Sequence, residues 1–329
     1  MDTAREHTTV TDTAPPRTRR RPRRPPPVTV MACVGALAIG VELYVLTRWA
    51  IDTGVRFDLG DQSSLPPWRR TAMWVLQVMV LPILLALAWW VVRQSRRAGR
   101  LTFDAALLIG YLTSFWLSPM MNFRHRGVAF SAAAVHTRSW GQYIPFWDSP
   151  GAQHQIELLG IIVGYGGLMA FLYLTIAMMR LTFLRRWPQL GGVRLVAALL
   201  VISPIATLVM DLAWVPGAGM YAYTTGVPQL TLFTGEWYRI PYHVCLASGF
   251  PLYGLPFLAR HYAAKSPDGH GGIWRGSTDL NPRARPLVQV LAVIGLVHIC
   301  LVLYGLGLWA GDTLSGPHPV TLPSMLHFI

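Results

Sequence analysis

The chain has 329 residues, of which 53% are hydrophobic and 13% charged, with a formal net charge of +13. So apolar a composition excludes an intrinsically disordered protein, and the basic excess does not read as a nucleic-acid surface, because Lys and Arg are spread over alternate connecting segments rather than gathered in one patch. The three cysteines, Cys33, Cys245 and Cys300, have no paired spacing and no histidine-rich neighbourhood, which argues against a disulfide framework and a zinc site.

Residues 1–27 come first, with the run Pro-Pro-Arg-Thr-Arg-Arg-Arg-Pro-Arg-Arg-Pro-Pro-Pro, and are too poor in apolar side chains to fold. They are expected to be a disordered cytoplasmic tail, with a catalytic domain of seven transmembrane helices over 28–329. A span needs about 20 mostly apolar residues to cross roughly 30 Å of hydrocarbon. Seven segments qualify: Val28–Ala50, Thr71–Val92, Phe103–Met121, Ile156–Met179, Val193–Val215, Pro241–Ala259 and Leu287–Trp309. The expected fold is therefore all-α, a polytopic membrane helix bundle. The first span is too long for a signal-peptide core and lacks a small-x-small cleavage site, so it reads as an uncleaved anchor.

Orientation follows from charge. Twenty Lys and Arg lie before the first span and in 93–102, 180–194 and 260–286, against seven in 51–70, 122–155, 216–240 and after 309. The positive-inside rule puts the N-terminus in the cytoplasm and the C-terminus outside. Trp49, Trp68, Trp89, Trp140, Trp187, Trp214 and Trp309 fall near span ends, as an interfacial belt would place them.

Ionisable groups inside hydrocarbon are costly and mark cavities or partners. Glu42 lies roughly 21 Å into the first span and Asp211 roughly 27 Å into the fifth, at 1.5 Å per residue, so both sit in the outer half. Ser203, Thr207 and Asp211 share one helix face, with Pro204 freeing a carbonyl beside them, and Tyr111, Ser114, Ser118 and Asn122 form a second polar stripe. With His243 at the same level, these predict a polar cavity in the outer half of the bundle, floored by His298. Each has a plainer reading. Glu42 can pair with Arg48 or a neighbouring hydroxyl, Asp211 can be a solvated helix end, and His298 can be a hydrogen-bonded packing residue. Gly164 and the pair Gly166-Gly167 read as sites of close helix packing.

The outer segments 122–155 and 216–240 are long and aromatic, and an interfacial belt does not account for Arg124, His125, Arg126 and His136 within them. No Walker motif, no Gly-x-Gly-x-x-Gly after a strand and no His-Glu-x-x-His is present.

Specific motifs are Ser118-Pro119-x-x-Asn122-Phe123, His136, Ser139-Trp140-Gly141, Ile144-Pro145-x-Trp147, Gly219-Met220-Tyr221-Ala222-Tyr223 and Leu230-Thr231-Leu232-Phe233-x-Gly235 through Pro241. With Gly35, Tyr44, Arg48 and Trp49 of the first span, these make the chain resemble the spirocyclase (AveC-like) family of actinomycete macrolide pathways, whose members serve avermectin, milbemycin and meilingmycin biosynthesis. The resemblance implies a multi-pass cell-membrane enzyme that closes a dihydroxy ketone on a lipophilic macrolactone into a spiroketal. In some members a neighbouring hydroxyl is also lost. No redox cofactor and no metal is implied. Broader members carry Asp-Pro where Ser118-Pro119 stands and Glu near Asp211, which leaves the acid open among Asp211, Glu42 and Glu236. Such chemistry needs a carboxyl to expel water and take back a proton. Trp140, Trp147, Tyr221 and Tyr223 are expected to wall the cation, and Asn122, Arg124, His125, His136, Tyr238 and His243 to bind substrate. The competing class is a macrolide transporter or export accessory, which seven spans without inverted halves fit poorly. A retinal protein is excluded because the single lysine, Lys265, falls in a cytoplasmic loop.

Overall fold

In the computed structural model, which describes residues 25–151, 154–266, 269–315 and 321–326, prolines and glycines set the limits of the first long helices. Helix α1 (Pro27–Thr53) starts on proline, whose missing N–H is no loss in a first turn, and stops at Gly54 with φ 68°. Helix α2 (Pro67–Ala98) also starts on proline and ends at Gly99 in the left-handed region, with Arg96 and Arg97 in its last turn. Most of the predicted tail lies outside the described residues.

Next comes α3 (Phe103–Leu112), capped by the Thr102 hydroxyl on the Ala105 N–H. The third predicted span is not one α-helix. After α3 the chain tightens into a 3-10 helix over Phe115–Asn122, in which Pro119 cannot donate to an α ladder. Helix α4 (Leu159–Met179) and helix α5 (Gly192–Leu212) each finish in a π-helical turn, Arg180–Leu184 and Ala213–Gly217. The sixth predicted span is divided as well, into α6 (Tyr242–Gly249), a π-helical turn over Phe250–Gly254, and α7 (Leu255–Lys265). Helix α8 (Arg285–Ser315) runs six residues beyond the predicted Trp309. Among the described residues, five helical stretches are long and apolar enough to cross a membrane: Pro27–Thr53, Pro67–Ala98, Leu159–Leu184, Gly192–Gly217 and Arg285–Ser315.

The predicted alternation of connecting segments appears as two ends of the bundle. At one end, among the described residues, are seven short strands: β1 (Asp58–Leu59), β2 (Val128–Phe130), β3 (Val135–Arg138), β4 (Ile156–Leu158), β5 (Tyr221–Tyr223), β6 (Thr231–Leu232) and β7 (Ile240–Pro241). They pair antiparallel as β1-β3-β4, β2-β5 and β6-β7, with Val128 opposite Tyr223 and Phe130 opposite Tyr221. A bridge from Ser131 to Leu326 joins the segment after α8 to the same cap. At the other end Arg260 forms a two-pronged ion pair with Asp104, with N–O distances of 2.6 and 3.0 Å.

Helix α8 is the central helix and α1 lies along it. A Cβ on Gly35 would sit 1.9 Å from the Leu291 carbonyl oxygen, so the two backbones touch. Gly249 of α6 makes a similar contact, its Cβ position lying 2.6 Å from the backbone of Pro204 in α5.

Candidate functional site

The polar stripe predicted on α5 faces inward: Ser203, Thr207 and Asp211 are all buried. Asp211 is not a solvated helix end. Its Oδ1 accepts hydrogen bonds from the Tyr221 hydroxyl at 2.7 Å and the Tyr223 hydroxyl at 3.2 Å, and its Oδ2 has no partner among the described residues. Both tyrosines can reach the same carboxyl because they stand two residues apart in β5 and so share one face of the strand, with their rings edge to face and centroids 5.6 Å apart. Burial, and then the adjacent Asp211 charge, holds both phenols well above the ordinary tyrosine range. They are permanent donors.

Beside this group lies a cavity of about 300 Å³. Helices α2, α4 and α5 form its apolar walls, while Tyr165, Thr207, Tyr221, Tyr223, Ser248 and Tyr304 are its hydroxyl-bearing residues. The Ser248 hydroxyl lies 3.3 Å from that of Thr207. Asp211 does not line this space itself, but the two tyrosines that hold its Oδ1 do, and a carboxyl with one unpaired oxygen in a largely apolar setting can move a proton without competition from water.

The other expected carboxylates are elsewhere. Glu42 is buried on α1, and Arg48, considered as its counter-ion, lies 3.6 Å from Asp52 instead. Glu236 is exposed in the turn between β6 and β7.

Most of the expected binding residues do structural work. Asn122 is buried and its Oδ1 accepts from the Val128 N–H, which fixes the start of β2. Trp140 does not line the cavity. It is fully buried, its ring N–H donating to the Trp116 carbonyl at 2.7 Å and its ring set edge-on to Trp49 and Phe115. Trp147 packs on Phe123, and Arg124, with φ 60°, pairs with Asp148 at 3.6 Å. His125 meets the Thr313 hydroxyl at 3.0 Å. His136 sits in β3, its Nδ1 2.9 Å from the Ala134 carbonyl oxygen. Tyr238 packs at a tilt against Phe233 and edge to face with Trp237. His298 is the packing residue anticipated: Nδ1–H donates to Ile294 and Nε2 accepts from the Trp116 ring N–H at 3.0 Å.

Besides Asp104, already paired with Arg260 at the far end, two buried acidic groups went unseen in the sequence. Asp312, buried past the predicted end of the last span, accepts from the Thr225 hydroxyl and lies 3.2 Å from His243 Nε2. Glu157, in β4 ahead of α4, is 1% exposed and takes the Ser118 hydroxyl on one oxygen and the Ser139 hydroxyl on the other, the latter at 2.7 Å. Burial pushes its pKa from 4.5 to about 7, against those two hydrogen bonds, which pull it down. This carboxyl has no oxygen to spare, and it ties the 3-10 helix to the β3–β4 hairpin.

Gly164 and Gly167 depart from the packing role expected of them. A Cβ on Gly164 would meet only Trp214, at 3.9 Å, and one on Gly167 nothing within 4 Å, whereas one on Gly166 would come within 2.7 Å of Leu84 and Leu112. Only the last is a packing glycine. The other two line the cavity.

The family model described as Spirocyclase AveC-like matches residues 98–326, which take in Asp211, Tyr221, Tyr223, Glu157 and Asp312. Gly35, Tyr44, Arg48 and Trp49 fall outside that match, and α8 falls inside it. No curated protein and no solved structure matches the chain.

Proposed function

This chain belongs to the spirocyclase AveC-like family, and from that premise we propose that it converts a dihydroxy ketone on a lipophilic macrolactone, of the avermectin, milbemycin and meilingmycin kind, into a spiroketal at Asp211. The observation that carries the reading is the buried Asp211 carboxyl, whose Oδ1 is held by Tyr221 and Tyr223, two tyrosines that line the cavity, and whose Oδ2 is unpaired among the described residues.

The reaction runs in two additions. One hydroxyl oxygen attacks the ketone carbon and the carbonyl oxygen gains a proton, giving a hemiketal. The hemiketal hydroxyl then takes a proton from Asp211 Oδ2 and departs as water, leaving an oxocarbenium ion. The second hydroxyl attacks that carbon from one face and returns its proton to Oδ2, so the net change is loss of one water. Charge on the carboxylate in the intermediate state is met by the Tyr221 and Tyr223 hydroxyls, which are already in place and need no reorganisation. The same tyrosine rings supply negative π-faces to the cation.

Because spiroketals also form unaided, the enzyme's service is stereochemical control. A preference of about 3 kcal/mol for one cyclisation transition state gives roughly a hundredfold excess of one diastereomer. The protein is read as a multi-pass cell-membrane enzyme of an actinomycete, with seven crossings and the β-strand cap outside.

Purified protein in detergent, supplied with the dihydroxy ketone and no membrane gradient, tests the proposal. Conversion above the spontaneous rate is expected, and Asp211→Asn should lower it by about 10²–10⁴-fold with little change in KM. Glu42→Gln should do less. Turnover retained in Asp211→Asn but lost in Glu42→Gln or Glu236→Gln would move the acid; activity in all three would leave a template that only orients the chain. No conversion, with uptake of the macrolactone into sealed vesicles, would favour a transporter.

A further inference from the structure

The cavity opens sideways. Met79 and Ile83 on α2 and Val209 on α5 line it, and they are 46, 40 and 47% exposed on helices long and apolar enough to lie in a bilayer. Helix α2 reaches the end of α5 at the capped side of the bundle, where Arg69 Nη2 donates to the Pro216 carbonyl at 3.2 Å. Further along, α4 closes the back of the space. Hydrocarbon, rather than water, therefore meets the mouth between α2 and α5.

Size adds a second constraint. About 300 Å³ is at the bottom of the range of roughly 300–1,000 Å³ that holds a drug-sized ligand, and a macrolactone is a large member of that class. The back wall is also hollowed by two helical glycines, Gly164 and Gly167, that touch nothing closely. A helix interior gains about 1 kcal/mol when glycine becomes alanine, so bare positions facing open space carry a cost that packing does not offset.

We infer that the substrate is taken laterally from the bilayer between α2 and α5, that only its dihydroxy-ketone segment, the arm, enters while the rest of the macrolactone stays in lipid, and that Gly164 and Gly167 set the bulk of arm admitted. The inference rests on the cavity being the place of cyclisation. The arm has the chemistry the walls require: apolar along α2 and α4, with two hydroxyls and a ketone to meet Asp211, Tyr221 and Tyr223. Its lipid-embedded remainder needs no protein pocket.

The test uses the full chain in phosphatidylcholine nanodiscs with two substrates, the complete dihydroxy ketone macrolactone and an open-chain dihydroxy ketone that carries the arm alone. Turnover is measured, and so is thermal stabilisation by the spiroketal made from the open-chain arm. The unaltered protein should turn over the arm with a kcat within about threefold of the macrolactone's, because the ring contributes little at the reacting atoms. Gly164→Leu and Gly167→Leu should each lose about tenfold or more in turnover and in stabilisation, by occupying the space the arm needs. Gly40→Leu, the same added bulk where nothing lies within 4 Å on exposed α1, should change neither. Should leucine lower the melting temperature, Gly167→Val is read in its place by the same criteria.

Leucine variants that keep their melting temperature and turn over both substrates normally overturn the inference while the reaction stands. So does turnover of the macrolactone with none of the arm. No turnover of either substrate by the unaltered protein, with stabilisation that the leucine variants abolish, removes the reaction and keeps the lateral lipophilic site.

Discussion

Replacing Tyr221 or Tyr223 by Phe removes one hydrogen bond to Asp211 Oδ1 and leaves the aromatic wall in place. The two bonds are unequal, at 2.7 Å from Tyr221 and 3.2 Å from Tyr223. A hydrogen bond to a charged group at good geometry contributes about 1.5–3 kcal/mol, and one at the long limit roughly 0.5–1.5. Both bonds matter most when the carboxyl has given its proton to the departing water and carries full charge. Tyr221→Phe should therefore lower kcat by about 10- to 150-fold and Tyr223→Phe by about 2- to 10-fold. KM should stay near its original value, since each ring keeps its surface. The double variant should lose more than the product of the two, because the second removal leaves a buried oxygen with no donor at all. Rates are measured on purified variants in detergent after the uncatalysed cyclisation is subtracted. An equal or larger loss in Tyr223→Phe, or losses under about twofold in both, would refute the assignment of these hydroxyls to the carboxylate.

Glu157 carries a pH dependence of stability. Its folded pKa, about 7, lies above its ordinary 4.5, so its stabilising contribution is complete below 4.5, declines as pH rises and is gone above about 7. The span corresponds to about 3 kcal/mol at most, and Glu157→Gln should flatten the fall in melting temperature between pH 5 and 8; an unchanged slope would assign it to another group. Trp140→Ala should cost about 3–5 kcal/mol and lower the yield of folded protein, with product ratios intact in whatever folds; normal stability with altered ratios would return Trp140 to the substrate wall. A reporter fused after α8 that works only in the cytoplasm should stay silent, and activity there would invert the orientation.

Much of this was legible in the chain. Five of the seven apolar stretches coincide with helices long enough to cross a membrane, because hydrocarbon imposes length and composition directly, while the third and sixth are broken into shorter pieces. Asp211 could be singled out because Ser203 and Thr207 mark the same face at intervals of four. Its tyrosine partners stand only ten and twelve residues away, in a motif already conspicuous. Glu157 was hidden for the opposite reason: its partners Ser118 and Ser139 are 39 and 18 residues distant, and beside a span an acidic residue reads as a wetted helix end. Asp312 was passed over because the apolar run weakens after Trp309 while α8 continues to Ser315. The stripe from Tyr111 to Asn122 fits an α-helix and a 3-10 helix equally, since steps of three and four occur in both. Nor does any local signal tell a glycine that admits a neighbouring helix, such as Gly166, from one that leaves a void, such as Gly167; the difference lies in what stands opposite.

The backbone contact of Gly35 on α1 with α8 has a consequence for how the protein is made. Synthesis delivers α1 first and its principal neighbour last. At about 5–20 residues per second, roughly ten seconds to a minute separate the two. During that interval the face of α1 that carries Glu42 has lipid, or whatever the insertion machinery supplies, where α8 will be. The helix that closes the bundle is thus the one that ends the exposure of the first, and a chain stopped before Arg285 leaves an intramembrane carboxyl unsheltered.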